Sequence, residues 1–388
     1  VTTLYPSAAR PNHGVFVENR LRHLLAGGEA TSTVLAPVPW FPSRSPRFGA
    51  WAAFASVPEV EERHGIAVHH PRYLALPGVG MLTNPPALHH ALHAAALGLM
   101  RSGRTFDAVD GHYLFPDGVA AVWLARRLGL PVVLTARGSD VSLWPHRPLA
   151  RRLIQGAMAR ADALIAVSAG LRDGLLELGA PPGKVTVLRN GVDLGLFRPP
   201  LQRESARAAL GLGEEPVLLS VGLLIERKGH HHVIRALADL PGHRLLILGD
   251  GPDRASLASL AERCGVAGRV RFEGAVPHAA LPRYYGAADA MVLASSREGW
   301  ANVLLESMAC GTPVVASPAW GSREAVAAPE AGIVLDAADP ARIAEGVRRL
   351  LAAPPDRAAT RAYAERFGWE QTTEGQLALF RRVLRWAA

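Results

Sequence analysis

Apolar runs of four or five residues alternate with stretches of helical period along the whole chain. In the first half this pattern predicts helices over 17–25, 86–100, 118–128, 149–159 and 168–178. Between them it predicts strands over 31–37, 108–110, 132–135, 163–167 and 185–188. Apolar strands separated by helices require a largely parallel sheet covered by helices. Segment 41–82 is rich in proline and aromatics and reads as irregular, a mobile surface excursion.

The rhythm pauses at Asn190-Gly191-Val192-Asp193 and Phe197-Arg198-Pro199-Pro200, which marks the expected interdomain hinge. It resumes with strands over 217–221, 244–248, 270–272, 290–294, 314–316 and 333–335. Helices are expected over 230–240, 254–264, 279–287 and 340–351. A chain of 388 residues implies two domains. The first spans 1–194 and is completed by a C-terminal helix over 371–388; the second spans 195–370. The fold class is therefore α/β, with two doubly wound Rossmann-like domains facing across a cleft.

Composition narrows the chemistry. Hydrophobic residues make up 49% and charged ones 20%, as in a globular protein with substantial cores. Of the net charge of +8, residues 1–200 carry 20 basic and 13 acidic groups, while 201–388 carry 22 and 21. A basic first domain suits phosphates or an anionic membrane surface. Its arginines are scattered, without an aromatic-interleaved basic helix, so no nucleic acid is expected. Cys264 and Cys310 are too few for a disulfide framework or a thiolate metal site. No apolar stretch reaches the length of a membrane span; the nearest, 88–100, is interrupted by His89, His90 and His93. A cytoplasmic location follows, with peripheral contact at the inner face of the cell membrane as an option. The opening VTTLYPS reads as the tail of a strand entering a loop, so either further strand residues are expected before it or the start is simply not a methionine. Only Lys184 and Lys228 are lysines among 42 basic residues, so a lysine in a candidate site stands out.

The most informative stretch is 287–324. A strand exits through Ser295 to Gly299, Asn302 is placed to cap the following helix, and Gly311-Thr312-Pro313 ends it. Glu298 then stands at a strand's carboxyl end and Glu306 on the next helix, where open α/β sheets bind ligands. Two carboxylates beside unpaired helix-start N–H groups suit a hydroxyl-rich ligand with an anionic part. The competing reading is a loop charge and a solvated helix residue.

Gly222 to Gly229, GLLIERKG, follows a strand but has neither the P-loop nor the dinucleotide spacing. Lys228 and Arg227 there can neutralise a diphosphate, or simply form a solvated turn. In the first half, Asn12-His13-Gly14 leads into a helix and can bring N–H groups to a phosphate. His112 and Tyr113 follow one strand, and Arg137 and Asp140 the next. Asp140 could equally cap a helix, and His112 could equally be structural.

These segments together resemble a known family. GVFVENRLRHLL, GHYLFPDGVAA, TARGSD, VLRNGVDLGLF, SVGLLIERKGH, ILGDGP, RFEGAVPHAALPRYYGAAD and above all EGWANVLLESMACGTPVVAS are similar to the retaining family 4 glycosyltransferases (glycosyl transferases group 1) of GT-B fold. The last segment holds the family's Glu-x7-Glu signature as Glu298 and Glu306. The resemblance implies that Glu306 binds the nucleotide ribose and Glu298 the donor sugar. The N–H groups of Gly299, Trp300, Ala301, Asn302 and Val303 would lie near sugar or phosphate. Lys228 would hold the diphosphate, with Gly14, Gly222 and Arg227 on the donor side, and Glu273 and Val276 would line the base. His112 and Arg137 would join Lys228 and Glu298 in catalysis, with Asn12, His13, Tyr113 and Asp140 on the acceptor side.

The implied reaction moves a sugar from a UDP- or GDP-sugar to an acceptor hydroxyl with retention. It uses no cofactor and no metal; the basic first domain suggests an acceptor that carries phosphate or sits in an anionic membrane, with a lipid-linked sugar, a polysaccharide precursor and a phosphorylated small molecule all open. The context would be glycolipid, polysaccharide or glycoconjugate synthesis. The departing phosphate oxygen, rather than a carboxylate nucleophile, would take the acceptor proton. Arg20, Arg22, Arg44, Arg47 and Arg63 could face an anionic membrane. Two positions depart from the family. Leu223 replaces a common arginine, and Arg137 replaces a histidine that contacts the donor sugar. Arginine stays charged and cannot accept a proton, so Arg137 is expected to bind a phosphate or acceptor oxygen. A sugar-nucleotide epimerase, a phosphorylase or a noncatalytic nucleotide- or carbohydrate-binding protein are the alternatives. A phosphorylase would need a lysine for pyridoxal phosphate, and none is suitably placed.

Overall fold

In the computed structural model, the apolar runs of the second half assemble into a six-stranded parallel sheet. Its order is Val270–Gly274, Arg244–Leu248, Val217–Val221, Ala290–Leu293, Val314–Ala316 and Gly332–Val334. The chain thus starts in the middle of the sheet, winds outward one way and then the other. Val217–Val221 and Ala290–Leu293 are the neighbours at which the direction reverses. All positions of these two strands are buried because helices cover both faces. On one face Leu218, Leu245, Ile247 and Val292 pack with Val233, Leu237, Ile343 and Val347 from helices His230–Ala238 and Pro340–Ala352. The latter helix starts cleanly because the Asp339 side chain accepts the Arg342 N–H at 3.0 Å and Pro340 occupies the first turn.

The first half builds a four-stranded parallel sheet in chain order: Val109–His112, Val132–Ala136, Ala163–Ala166 and Val185–Val187. A second sheet pairs Thr33–Leu35 with Ile66–His69, and the latter with Val60–Arg63. The first residues run between the two sheets. The Thr2 N–H donates to Leu35 O and the His112 N–H to Val1 O.

The structure describes residues 1–76 and 78–387; position 388, the end of the expected C-terminal helix, lies outside them. Two units form, Val1–Arg189 with Glu370–Ala388, and Asn190–Trp369. The division falls at the start of the expected hinge rather than at 194. The helix Glu370–Ala387 returns to the first unit, where Leu379 and Val383 pack on Val133, Ala163 and Ile165.

Segment 41–82 is not irregular throughout. It holds the helices Pro46–Phe48 and Ala50–Ser56, the hairpin Val60–Arg63/Ile66–His69, the strand Arg72–Tyr73 and the start of helix Gly80–Arg101. Its elements are too short to leave a period in the sequence. The helices Arg203–Ala209, Trp320–Ala325 and Arg357–Glu365 likewise escape the pattern. Asn302 is the first helical residue rather than the cap, a position that falls to Ala301.

The arginines are also less scattered than the sequence suggests. Arg20 is interior, donating through Nε to Gln376 Oε1 at 2.8 Å and through Nη1 to Leu188 O at 3.0 Å. Arg63 pairs with Glu18 at 2.6 Å. Arg20 cannot face a membrane, which removes one of the five arginines expected there, and Arg63 is engaged by Glu18. Arg207, Arg269, Arg357 and Arg361 donate to loop and helix-end carbonyls and act as staples.

Candidate functional site

At the reversal point of the second unit, two loops leave the sheet side by side. The first, after Val217–Val221, turns through Gly222 and the short helix Glu226–Lys228; the second follows Ala290–Leu293. They touch directly. The Ser296 N–H donates to Arg227 O at 2.9 Å, and Arg227 Nη1 donates to Arg297 O at 3.0 Å. Glycine is required for this approach. A Cβ on Gly229 would sit 2.1 Å from Ala294 O, and one on Gly249 would sit 1.8 Å from Gly222 O.

Lys228 Nζ donates to Glu298 Oε1 at 2.6 Å across the two loops. Both side chains are mostly shielded from water. Burial alone would raise the Glu298 carboxyl, but the adjacent Lys228 ammonium reverses this and holds it below the ordinary value. Underneath, His230 fixes the first loop. Its Nδ1 accepts from Ser220 Oγ at 2.9 Å and its Nε2 donates to Leu223 O at 3.3 Å. Burial pushes His230 down to about 4, so the ring is neutral and suited to this donor–acceptor role. Leu223 itself is exposed.

Glu306 lies on the next helix, Asn302–Ala309, and is 8% exposed. Tyr285 Oη donates to one carboxylate oxygen at 2.9 Å, and His278 Nε2 is 3.1 Å from the other. Each oxygen keeps a second lone pair. The N–H groups of Asn302 and Val303 open the helix and have no carbonyl within it. The Trp300 indole N–H donates to Asn190 O at 3.0 Å and the ring is buried. Its side chain belongs to the scaffold. Asn302 Oδ1 accepts from Asn190 Nδ2 at 3.3 Å. Gly299, Ala301 and the Trp300 backbone line the same turn, and Gly321 packs tightly beneath it. Glu273 accepts from Arg271 on one carboxylate oxygen and from Tyr284 Oη, at 3.1 Å, on the other. Val276 follows on the loop after that strand.

The first unit gathers another polar group. Asp110 Oδ2 lies 3.2 Å from His112 Nε2, and Arg137 Nη2 lies 2.5 Å from His112 Nδ1. The guanidinium also sits over the Phe16 ring, 5.3 Å from its centroid, near the start of helix Val15–Ala26. Burial, opposed by Asp110 and reinforced by Arg137, pushes His112 down to about 4. His112 is therefore neutral, with Nε2–H toward Asp110 and Nδ1 accepting from Arg137. It orients the arginine and has no free nitrogen for proton transfer.

Asp140 does not face an acceptor. It is fully buried and accepts the N–H groups of Leu114, Arg137 and Gly138, which shapes the loop carrying Arg137. His13 is likewise committed, with Nε2 to Thr3 O at 3.0 Å and Nδ1 to Arg10 at 3.1 Å. Gly14 has φ 74° and packs against Leu4 C, where a Cβ would sit 2.4 Å away. Asn12 is exposed, and Tyr113 Oη meets Ser139 Oγ at 2.7 Å.

Sequence reasoning missed His278, Tyr285, His230 and Asp110 as partners. Only Asp110 left a local signal, since it shares a strand face with His112 two residues on.

Two family models match the chain: "Glycosyl transferases group 1" over residues 202–367 and "Glycosyltransferase Family 4" over 51–196. Among similar curated proteins is D-inositol 3-phosphate glycosyltransferase 1 of Catenulispora acidiphila, 33% identical over 357 residues and covering 84% of this chain and 83% of that protein. Another is the D-inositol 3-phosphate glycosyltransferase of Segniliparus rotundus, 37% identical over 303 residues and covering 72% and 67%. Among solved structures, sucrose-phosphate synthase of Thermosynechococcus elongatus superposes with a TM-score of 0.78 at 23% identity, covering 96% and 93%. Anabaena HepE in complex with UDP and glucose gives 0.73 at 21%, covering 97% and 96%. The two structural likenesses concern the fold.

Proposed function

Since the chain belongs to the family 4, group 1 glycosyltransferases of GT-B fold, we propose a retaining sugar transfer that uses the Lys228–Glu298 pair at the donor. The enzyme moves a sugar from a nucleoside diphosphate donor to an acceptor. The observation that carries the finer reading is the 2.6 Å contact of Lys228 with Glu298 at the reversal point of the sheet.

A diphosphate there competes for the Lys228 ammonium with more charge than one carboxylate offers. Lys228 then stabilises the charge that grows on the departing phosphate, helped by the open N–H groups of Asn302 and Val303. Glu298, freed, accepts from hydroxyls of the donor sugar and fixes its orientation. Glu306, already held by Tyr285 and His278, accepts from the vicinal diol of the ribose. No carboxylate is assigned as nucleophile. The departing phosphate oxygen takes the acceptor proton, and the new bond forms on the same face.

UDP or GDP is the expected carrier, and the D-inositol 3-phosphate glycosyltransferases among the relatives support a phosphate-bearing polyol as acceptor. In this reading Arg137, held by His112 over Phe16, receives the acceptor's anionic oxygen. A thermal-shift panel of UDP-, GDP-, ADP- and CMP-sugars, then NMR of the product anomer, tests the proposal. An inverted product rejects it, and donor consumption without any acceptor favours an epimerase.

A further inference from the structure

Three surface helices of the first unit contain no carboxylate at all: Gly80–Arg101, Val119–Leu128 and Pro148–Arg160. The middle one packs against both of the others. Together they carry Arg101, Arg126, Arg127, Arg151, Arg152 and Arg160, with histidines at 89, 90 and 93. Exposed helices ordinarily mix basic and acidic residues along their outer faces. Here Arg126 and Arg152 are exposed and make no hydrogen bond or ion pair with any described residue.

The face is shaped as well as charged. A hollow of about 260 Å³ between the second and third helices is lined by Trp123, Arg126, Arg152 and Arg160. A second, of about 300 Å³, is lined by His89, Trp123, Arg126 and Arg127. Trp123 is half-buried between them, with its ring edge-on to His89 at 6.0 Å. Alongside, helix Gly80–Arg101 has Arg101 as its one formal charge and leaves Leu82 64% and Met100 40% exposed. Leu82 precedes His89 by two helical turns and so lies on the same side of that helix.

We infer that this face docks the protein on an anionic phospholipid bilayer. The arginine heads reach lipid phosphates while their stems lie along apolar surface. Trp123 sits at headgroup depth, and the apolar helix meets the acyl boundary. A discrete site for a small free phosphate would anchor its arginines through further hydrogen bonds, as the carbonyls around Arg207 and Arg357 do in the second unit. Arg126 and Arg152 lack such anchors, which suits the diffuse charge of a lipid surface. The inference rests on surface chemistry alone and does not depend on the transfer reaction.

Co-sedimentation with vesicles tests it. The full chain binds vesicles of phosphatidylcholine with about one-third phosphatidylglycerol but not pure phosphatidylcholine, and release is complete at about 0.5 M salt. Arg126→Gln/Arg152→Gln lowers partitioning about 25-fold, roughly fivefold for each arginine near the surface. Its melting temperature and its nucleotide-sugar affinity stay unchanged, and Arg44→Gln/Arg47→Gln leaves partitioning intact. Equal binding to both vesicle types, no binding to either, or equal loss in the two double variants overturns the inference. So does displacement from vesicles by millimolar inorganic phosphate at constant ionic strength, which would mark a discrete phosphate site.

Discussion

Arg137 Nη2 and His112 Nδ1 stand 2.5 Å apart, so the two residues act as one device: the imidazole aims the guanidinium. On the proposed reading Arg137→Ala removes the cation that receives the acceptor, and it leaves the buried Nδ1 without its donor. Activity should fall by about 10²-fold, with a stability loss of about 1–3 kcal/mol. Arg137→Lys keeps a charge but not the planar fork, and should recover stability more than turnover. Unchanged turnover and acceptor affinity in the alanine variant would remove Arg137 from the site.

Lys228→Met leaves Glu298 buried without its cation and the diphosphate without its counter-charge. We expect a fall in kcat of about 10²–10³, the scale of losing one preorganised electrostatic group. Single-turnover kinetics with the best donor separate this from a loss of binding. A kcat within a few-fold of wild type would take Lys228 out of the reaction.

Glu306→Gln keeps the shape of the side chain but gives the ribose a weaker, neutral acceptor. Nucleotide affinity should drop by about tenfold, roughly 1.4 kcal/mol. Tyr285→Phe removes only one of the partners that hold Glu306, and its effect should be smaller. Titration calorimetry with the free nucleoside diphosphate ranks the two, and the reverse order would give the positioning tyrosine the leading role.

Stability should depend on two neutral histidines. Burial pushes both His112 and His230 down to about 4, below the ordinary 6.5. Between those values the unfolded chain binds more protons than the folded one. The stabilisation is therefore complete above pH 6.5 and is lost as pH falls toward 4, up to about 3 kcal/mol per residue. Thermal melts from pH 7.5 to 4.5 should show this slope, and His230→Asn should flatten it. A melting temperature that rises on acidification would contradict both assignments.

The α/β class, the parallel strands and the position of Glu298 and Glu306 were legible in the sequence because apolar runs and turn residues are local signals. The partners were not. His278 is 28 residues from Glu306 and Lys228 is 70 from Glu298, so only folding shows what they touch. The scaffold bonds of His13 and Asp140 were hidden for a related reason. A polar side chain in a loop looks available until the carbonyls and N–H groups around it are known. The short elements of 41–82 failed differently, since two- to four-residue strands are shorter than any periodicity can reveal.

The bare backbone crossing at Gly222, Gly229 and Gly249 has a consequence for how such an enzyme can diversify. With a Cβ excluded at Gly229 and Gly249, side-chain variation on this edge is confined to its other positions, such as the exposed Leu223. On the proposed reading, new nucleotide preferences are expected chiefly in the loop from Gly274 to His278. A saturation library restricted to that loop should yield altered nucleotide choice, whereas one at the glycines should return only inactive protein.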